Sequence, residues 1–358
     1  MSRRFSCGGA VVTLPVAAAS AVMAVAAVAL AAAVAFAVAG CGSAGPEPQA
    51  LATVSAAPTL APTPAVGATP ARVPDADGPP PEYDRNYKLG LVEALDEPPE
   101  LVFMGGSRAQ RFEPSCIREL TGLSAFNFAV QNNRPEDAYA MSETLFAMAP
   151  DVKLRLFYAV QVTTFNDAVM HPGILYDERF ARWFPDDFVA EQKAKLGTPK
   201  PDGIPENNHY SPRGCLLYNS YDQRLERGRT QERALETYLE RLVPKAAAPL
   251  GDQSRSRRYF EKLLRLYNDH GVTPAIVLMP QHPVALAAFR EVGWQAKNDA
   301  LLAYLHGLED EYDLRVLDYT EIESFGGKAR YFYDGSHVTK ENARLLLEQA
   351  VRDAPECF

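Results

Sequence analysis

The chain has 358 residues, of which 47% are hydrophobic, so it is long enough and apolar enough to bury a large core. Its 45 acidic residues outnumber its 36 basic residues, which gives a formal net charge of −9. A chain this acidic lacks the basic surface that nucleic-acid-binding proteins need, and that class is excluded.

The first 40 residues have the pattern of an export segment. Arg3 and Arg4 precede an almost purely apolar Ala/Val stretch, which VAGC at residues 38–41 closes. This ending resembles the bacterial lipobox, in which the cysteine, here Cys41, is lipidated and becomes the first residue. The stretch is also long enough to cross a bilayer, so an uncleaved membrane helix is the alternative. Either anchor places the rest of the chain at the extracytoplasmic face of a cell membrane.

Residues 41–81 are predicted to form a disordered tether. They are rich in Ala, Pro, Thr and Gly and show no hydrophobic periodicity, so they cannot bury a core. Residues 82–358 are then one folded domain. Without residues 1–40, which contain two arginines and no acidic residue, the net charge becomes −11 (34 − 45).

Apolar runs and helical patterns alternate along this domain. The runs read as buried strands, and the alternation predicts a parallel sheet covered by helices on both faces. The predicted strands are LVFM at 101–104, AFNFAV at 125–130, LRLFYAVQV at 154–162, PAIVLM at 274–279 and LRVLDY at 314–319. One predicted helix begins at Pro135, and three others cover residues 259–268, 293–309 and 339–352.

A long segment interrupts this alternation between about residues 165 and 255. Its length and its aromatic and proline content favour a lid or cap over a disordered excursion. The sequence has no dinucleotide-binding glycine pattern, P-loop or HExxH motif, so we expect no cofactor and no metal. In an exported domain, one pair among Cys116, Cys215 and Cys357 can form a disulfide, and the spacing does not select the pair.

The first candidate site lies at FMGGSRAQRF, residues 103–112. An apolar run ends in Gly105 and Gly106, and Ser107 follows directly before a segment that can open a helix. A serine on such a strand-to-helix turn is either a nucleophile or a helix cap.

The second candidate site lies at YFYDGSHVTKENARLLLE, residues 331–348. Asp334 and His337 are three residues apart on a turn before a helix, so the carboxylate can hold one ring nitrogen while the other nitrogen accepts a proton. The alternative is a helix-start turn in which Asp334 caps and His337 is solvated.

Together, an early strand–Gly-Gly-Ser–helix and a late Asp-x-x-His before the final helix resemble the SGNH (GDSL-like) hydrolase superfamily. The resemblance covers about residues 99–352, apart from the long insertion. It implies a flavodoxin-like three-layer α/β/α sandwich with a mainly parallel five-stranded sheet. In this chain the insertion would follow the third strand.

Carried over by position, the resemblance implies that Ser107 is the nucleophile, His337 the general base and Asp334 its orienting carboxylate. The family's oxyanion hole would use the amide of Ser107, the amide of Asn132 and the side chain of Asn166. Asn132 stands where the family has glycine, and asparagine tolerates the left-handed backbone. Asn166 is also consistent with an ordinary turn residue.

Two further residues are candidates for substrate contact. Arg108 follows the nucleophile and could steer an anionic substrate, with a solvated helix-start arginine as the alternative. His282, in MPQHP after the fourth strand, could contact substrate or simply end the strand.

Within the superfamily, a predicted N-terminal anchor, a GxSR-type sequence at residues 105–108 and the sequence FNFAVQNNRPED at residues 126–137 resemble the cell-envelope branch that handles acyl groups. The D-alanyl transfer protein of teichoic-acid D-alanylation and proteins of exopolysaccharide O-acetylation belong there. The resemblance implies a membrane-tethered serine esterase or O-acyltransferase acting on acylated envelope glycan, or on a small ester, with a membrane acyl-transfer partner. The alternative is a non-catalytic module that binds envelope glycan or an acylation partner.

Overall fold

The computed structural model of the protein describes residues 83–196 and 208–358. The predicted export segment, Cys41 and the tether all lie outside these residues. Within the described ranges, no helix combines the length and the apolar character that crossing a bilayer requires.

A five-stranded parallel sheet forms the centre of the fold. From one edge to the other, the strand order is β2, β1, β3, β6, β7, which is the flavodoxin-like order once the strands of a small hairpin are left out. The strands are β1 Leu101–Gly105, β2 Ala125–Asn127, β3 Arg155–Val160, β6 Ala275–Leu278 and β7 Arg315–Asp318. The predicted fold class is therefore confirmed.

The register places the carboxyl ends of the central strands side by side. Gly105 of β1 pairs with Ala159 of β3, and Leu278 of β6 pairs with Asp318 of β7. The second predicted strand is shorter than expected, because regular pairing ends at Asn127. The next residues still bond to β1, with the Val130 N–H donating to the Gly105 carbonyl at 3.0 Å.

Helices connect the strands, and each predicted helix is present with boundaries shifted by a few residues. The segment predicted as 259–268 begins five residues earlier, and the one predicted as 293–309 ends in a short 3₁₀ turn. The helices are α1 Asp84–Glu93, α2 Pro114–Thr121, α3 Pro135–Met148, α4 Pro172–Leu175, α5 Glu178–Ala181, α6 Asp186–Leu196, α7 Ser220–Glu226, α8 Gln231–Ala247, α9 Ser254–Asp269, α10 Pro283–Glu291, α11 Trp294–Gly307 and α12 Lys340–Asp353.

The two faces of the sheet bury separate hydrophobic clusters. Val102 and Met104 of β1 pack with residues of α1, α3, α9, α10 and α11. Leu101 and Phe103, which point the other way, pack with residues of α2 and α12. Because both faces are covered, the strands are apolar throughout rather than alternating. The result is the three-layer sandwich.

The insertion follows β3, and the structure describes it at residues 161–196 and 208–253. It contains α4 to α8 and a hairpin of β4 His209–Tyr210 and β5 Leu216–Tyr218. The hairpin turn lies against the sheet edge, where the Asn127 N–H donates to the Arg213 carbonyl at 2.9 Å. The Arg213 guanidinium donates to the Ala125 carbonyl at 3.2 Å. The insertion thus covers an edge strand that would otherwise be open.

Candidate active site

The turn that carries Ser107 requires glycine at its first position. Gly105 has a φ of +136°, and a Cβ there would lie 2.7 Å from the Ala159 carbonyl oxygen on β3. Gly106 is extended and caps the 3₁₀ turn Ser107–Ala109. Ser107 is therefore not the cap residue, and its hydroxyl lies 2.9 Å from Nε2 of His337. The two candidate sites predicted from the sequence meet at this contact.

Asp334 and His337 lie on a short turn whose geometry is set locally. Asp334 Oδ1 accepts hydrogen bonds from the backbone N–H groups of Ser336, at 2.8 Å, and His337, at 2.9 Å. The Tyr333 N–H donates to the His337 carbonyl at 2.7 Å, which closes the turn. His337 Nδ1 then lies 2.9 Å from Asp334 Oδ2 and 3.0 Å from Oδ1. The ring is held with Nε2 facing Ser107.

The carboxylate of Asp334 is charged despite its burial. Burial alone, the largest effect, would favour the neutral acid. The neighbouring His337 and the two backbone N–H donors outweigh it and lower the pKa of Asp334 to about 2. A charged carboxylate can fix the tautomer of His337 and stabilise its protonated form.

His282 supports this turn rather than the open side of the site. Its backbone N–H donates to the Gly335 carbonyl at 2.9 Å, and its Nδ1 accepts from the Val284 N–H at 3.3 Å as the cap of α10. Burial lowers the pKa of His282, which keeps the cap acceptor neutral. Of the two alternatives, the observed contacts are those of the residue that ends the strand.

The insertion supplies a tyrosine that the sequence did not single out. Tyr221 Oη lies 3.2 Å from His337 Nδ1, and the two rings are 4.9 Å apart between centroids. Tyr221 lies within the capping box at the start of α7, in which the side chains of Asn219 and Asp222 accept bonds from each other's end of the turn. That Asn-x-x-Asp pattern was the available signal, but it predicts a helix start and not a partner for His337.

One carboxylate, that of Asp222, joins both candidate sites of the sequence analysis to the insertion. Asp222 accepts from the Arg111 guanidinium at 2.5 Å and from the Tyr333 hydroxyl at 2.9 Å. Arg111 follows the serine turn, and Tyr333 precedes Asp334. The Arg111 guanidinium also lies 4.9 Å from the Tyr333 ring centroid. This network fixes α7 against the serine turn and the Asp-x-x-His turn together.

Arg108 is half-buried and faces inward. Its guanidinium lies 3.4 Å from the Tyr238 hydroxyl of α8. With the Gln281 carboxamide turned so that its oxygen faces the guanidinium, that oxygen accepts at 2.5 Å from Nη1. Arg108 therefore links the serine turn to the loop after β6 and to the insertion. It is not the solvated helix-start arginine of the alternative interpretation.

The two predicted oxyanion asparagines take no part in the contacts that join Ser107, His337 and Asp334. Asn132 has a φ of +51°, the left-handed conformation expected for a residue in the place of glycine. It lines a cavity of about 150 Å³ with Arg85, Arg134 and residues 168–171. Asn166 Oδ1 accepts from Gln253 at 3.3 Å, so its carboxamide is held at the end of the insertion. Their oxyanion roles stay predictions.

The described residues contain no group of three or more His, Cys, Asp or Glu side chains arranged to hold a metal ion. Cys116, Cys215 and Cys357 are all buried free thiols, so the disulfide considered from the sequence is absent among them. Burial raises the pKa of all three thiols, which makes them unreactive core residues.

Comparisons with known proteins give little further information. No family model matches the chain, and no curated protein matches its sequence. Among solved structures, the chain is similar to a protein of Bacteroides fragilis NCTC 9343 described as a candidate acylhydrolase, with 11% identity and a TM-score of 0.33. The similarity covers 75% of this chain and 94% of that chain. At this level it decides nothing about activity.

Proposed function

We propose that the protein is a serine esterase or O-acyltransferase of the SGNH type. The observation that carries this proposal is the continuous contact chain of Ser107 Oγ, the His337 ring and the Asp334 carboxylate, with separations of 2.9 Å on both sides of the ring. A nucleophile, a base and a group that orients the base, in this order, are what acyl transfer through serine requires.

In the first half of the reaction, His337 Nε2 takes the hydroxyl proton while Ser107 Oγ attacks the acyl carbonyl. The charged Asp334 stabilises the imidazolium that forms. The tetrahedral intermediate then collapses. The bond to the leaving alcohol breaks, and His337 returns its proton to that oxygen, which leaves the acyl group on Ser107.

In the second half, His337 removes a proton from water or from a sugar hydroxyl, and the oxygen of that group attacks the carbonyl carbon of the acyl-serine. The bond between the acyl carbon and Ser107 Oγ then breaks, and His337 returns its proton to Oγ. Water gives a free acid, and a sugar gives a transferred ester. The developing oxyanion needs donors at the serine turn. The Ser107 N–H suits this role because the first N–H groups of a helical turn have no acceptor within that turn. The amide of Asn132 and the side chain of Asn166 are the further candidates.

The setting and substrate are proposed from the sequence. The export pattern of residues 1–40 and the tether at 41–81 support a domain held at the extracytoplasmic face of the membrane by Cys41 lipidation or by a helix. An enzyme in that position would act on acyl esters of envelope polysaccharide, together with a membrane acyl-transfer partner. The resemblance to the envelope acyl-handling branch supports the same substrate.

The test is active-site labelling of the purified full-length protein with a fluorophosphonate probe, alongside p-nitrophenyl acetate turnover. Ser107→Ala and His337→Ala should abolish both signals. Ser115→Ala and His306→Ala are matched controls, because both residues are exposed on helices and take no part in the contact chain. Labelling with little turnover would favour transfer over hydrolysis. A folded protein without labelling or turnover would refute the triad.

The second candidate is a non-catalytic module that binds glycan or a partner. The contact between Asn166 and Gln253 favours it, because that contact holds the expected oxyanion side chain at the end of the insertion. In this case the full-length protein would retain an acylated oligosaccharide unchanged, and Ser107→Ala would not alter the binding.

A further inference from the structure

A small cavity adjoins the proposed active site on the side of the insertion. It has a volume of about 100 Å³ and lies between α7, α8 and the Asp-x-x-His turn. Its lining combines arginines and tyrosines of the insertion with residues of that turn. The residues that matter here are Arg224, Arg229, Arg241, Tyr221, Tyr238, Tyr333 and Asp334.

The arginines of this pocket, Arg224, Arg229 and Arg241, have no carboxylate partner among the residues that the structure describes. Arg224 donates to the Ser220 hydroxyl at 3.1 Å and lies 5.3 Å from the Tyr221 ring centroid. Arg229 donates to the Thr237 hydroxyl at 2.7 Å, and its Nε is buried without a partner. The guanidinium groups of Arg224 and Arg229 are therefore held by neutral groups.

The charge of the pocket opposes that of the protein. The chain carries a net charge of −9, whereas the pocket lining has three arginines against the single carboxylate of Asp334. That carboxylate already bonds to His337. A concentration of unpaired guanidinium groups on an acidic protein favours the binding of an anion at that point.

We propose that this pocket binds an oxyanion, carboxylate or phosphate, carried by the glycan whose acyl ester reacts at Ser107. The proposal rests on the function proposed above and narrows its substrate to an acidic glycan. Arginine forks match both carboxylates and phosphates bidentately, and the tyrosine rings offer rigid, amphipathic walls to the attached sugar.

The position of the pocket fits one substrate reaching both places. The Tyr221 hydroxyl, on the pocket wall, lies 3.2 Å from Nδ1 of His337, and Nε2 of the same ring lies 2.9 Å from Ser107 Oγ. One imidazole ring thus separates the wall from the nucleophile. Tyr238 of α8, which also lines the pocket, contacts Arg108 beside Ser107. An anionic group in the pocket would therefore place a neighbouring sugar unit near the serine.

The test is calorimetric titration of the full-length protein with trigalacturonate, its methyl-esterified form and glycerol 1-phosphate at low and moderate salt. Trigalacturonate or glycerol 1-phosphate should bind, with affinity that falls as salt rises. The methyl ester should bind at least about tenfold more weakly than trigalacturonate. The tighter of the two anions identifies the polymer as carboxylate-bearing or phosphate-bearing.

The double variant Arg224→Gln/Arg241→Gln should lose at least about tenfold in affinity for the anion that binds. Both side chains are exposed, so their replacement should leave the circular dichroism spectrum unchanged. Arg227→Gln is the matched control, since Arg227 is an exposed arginine on the same segment and does not line the pocket. It should bind like the wild type.

Two results would overturn the proposed anion binding in the pocket. One is that neither anion binds, and the other is that the double variant and the wild type bind with equal affinity. Fluorophosphonate labelling of the same samples separates this failure from failure of the proposed function. Labelled Ser107 without anion binding would remove only the pocket. Anion binding that depends on Arg224 and Arg241, without labelling, would keep the pocket and remove the catalysis.

Discussion

The sheet core and the insertion at residues 161–253 build the same candidate site in different ways. The core places Ser107 on a turn at the end of the buried strand β1, and it places Asp334 and His337 on a turn before α12. Each turn is fixed by its own backbone hydrogen bonds. The insertion places Tyr221 and Tyr238 against those turns by long-range contacts. This contrast suggests that the core sets the chemistry and that the insertion sets access and selectivity.

The largest expected effect comes from the core. Asp334→Asn should lower kcat/KM for p-nitrophenyl acetate on the order of a thousandfold, because asparagine favours the wrong tautomer of His337. Since the pKa of Asp334 is about 2, the wild-type rate should show no inflection near about pH 4, where an ordinary aspartate titrates. Asp310→Asn, at an exposed position, is the control. A loss of less than about tenfold would show that the ring is oriented without the core carboxylate.

The next effect concerns the stability of the serine turn. Gly105→Ala should lower the free energy of unfolding by about 2 to 4 kcal/mol, because φ is positive there and the new Cβ meets the backbone of Ala159. Gly106→Ala is the matched control, with φ of −77° and open space around the new Cβ, and should change stability by no more than about 0.5 kcal/mol. Urea unfolding measures both. Equal effects would contradict the close approach of β1 and β3.

The contact between the two regions can be broken directly at Gly335. A Cβ at this position would overlap the Tyr238 ring of α8. Gly335→Ala should therefore destabilise the protein by about 1 to 3 kcal/mol. In a Tyr238→Ala background the same change should cost clearly less, which a double-mutant cycle from urea unfolding measures. Additive effects would mean that Tyr238 of α8 does not pack against Gly335 of the Asp-x-x-His turn.

The smallest effect tests whether the insertion also affects the chemistry. Tyr221→Phe removes the hydroxyl near His337 Nδ1 and should lower kcat by about two- to tenfold, with KM little changed. Tyr218→Phe removes an exposed hydroxyl that bonds to Glu226 and serves as the control. Steady-state kinetics with p-nitrophenyl acetate gives both values. An unchanged kcat would restrict the insertion to shaping the pocket.

Much of the fold could be predicted because its determinants are local. One continuous apolar run contains Leu101, Val102, Phe103 and Met104, as expected for a strand buried on both faces. Pro135 and two acidic residues mark the start of α3. The predicted end of β2 lies three residues beyond the observed end, because the apolar run continues past the residues that pair regularly with β1.

The candidate site was predicted unevenly for a similar reason. Ser107, Asp334 and His337 lie in short turns with recognisable residues, whereas the placement of Asn166 depends on Gln253, 87 residues away. Arg108 and His282 both had alternatives in the sequence that only their packing partners could separate.

The sequence by itself determined the order of strands and helices, the glycine-dependent serine turn and the spacing of Asp334 and His337, since periodicity and turn chemistry act over a few residues. The tertiary structure decided that Ser107 and His337 meet across 230 positions. It also decided that Tyr221 joins them and that three arginines of the insertion share one pocket. These contacts depend on how the chain packs over long separations, which no local pattern encodes.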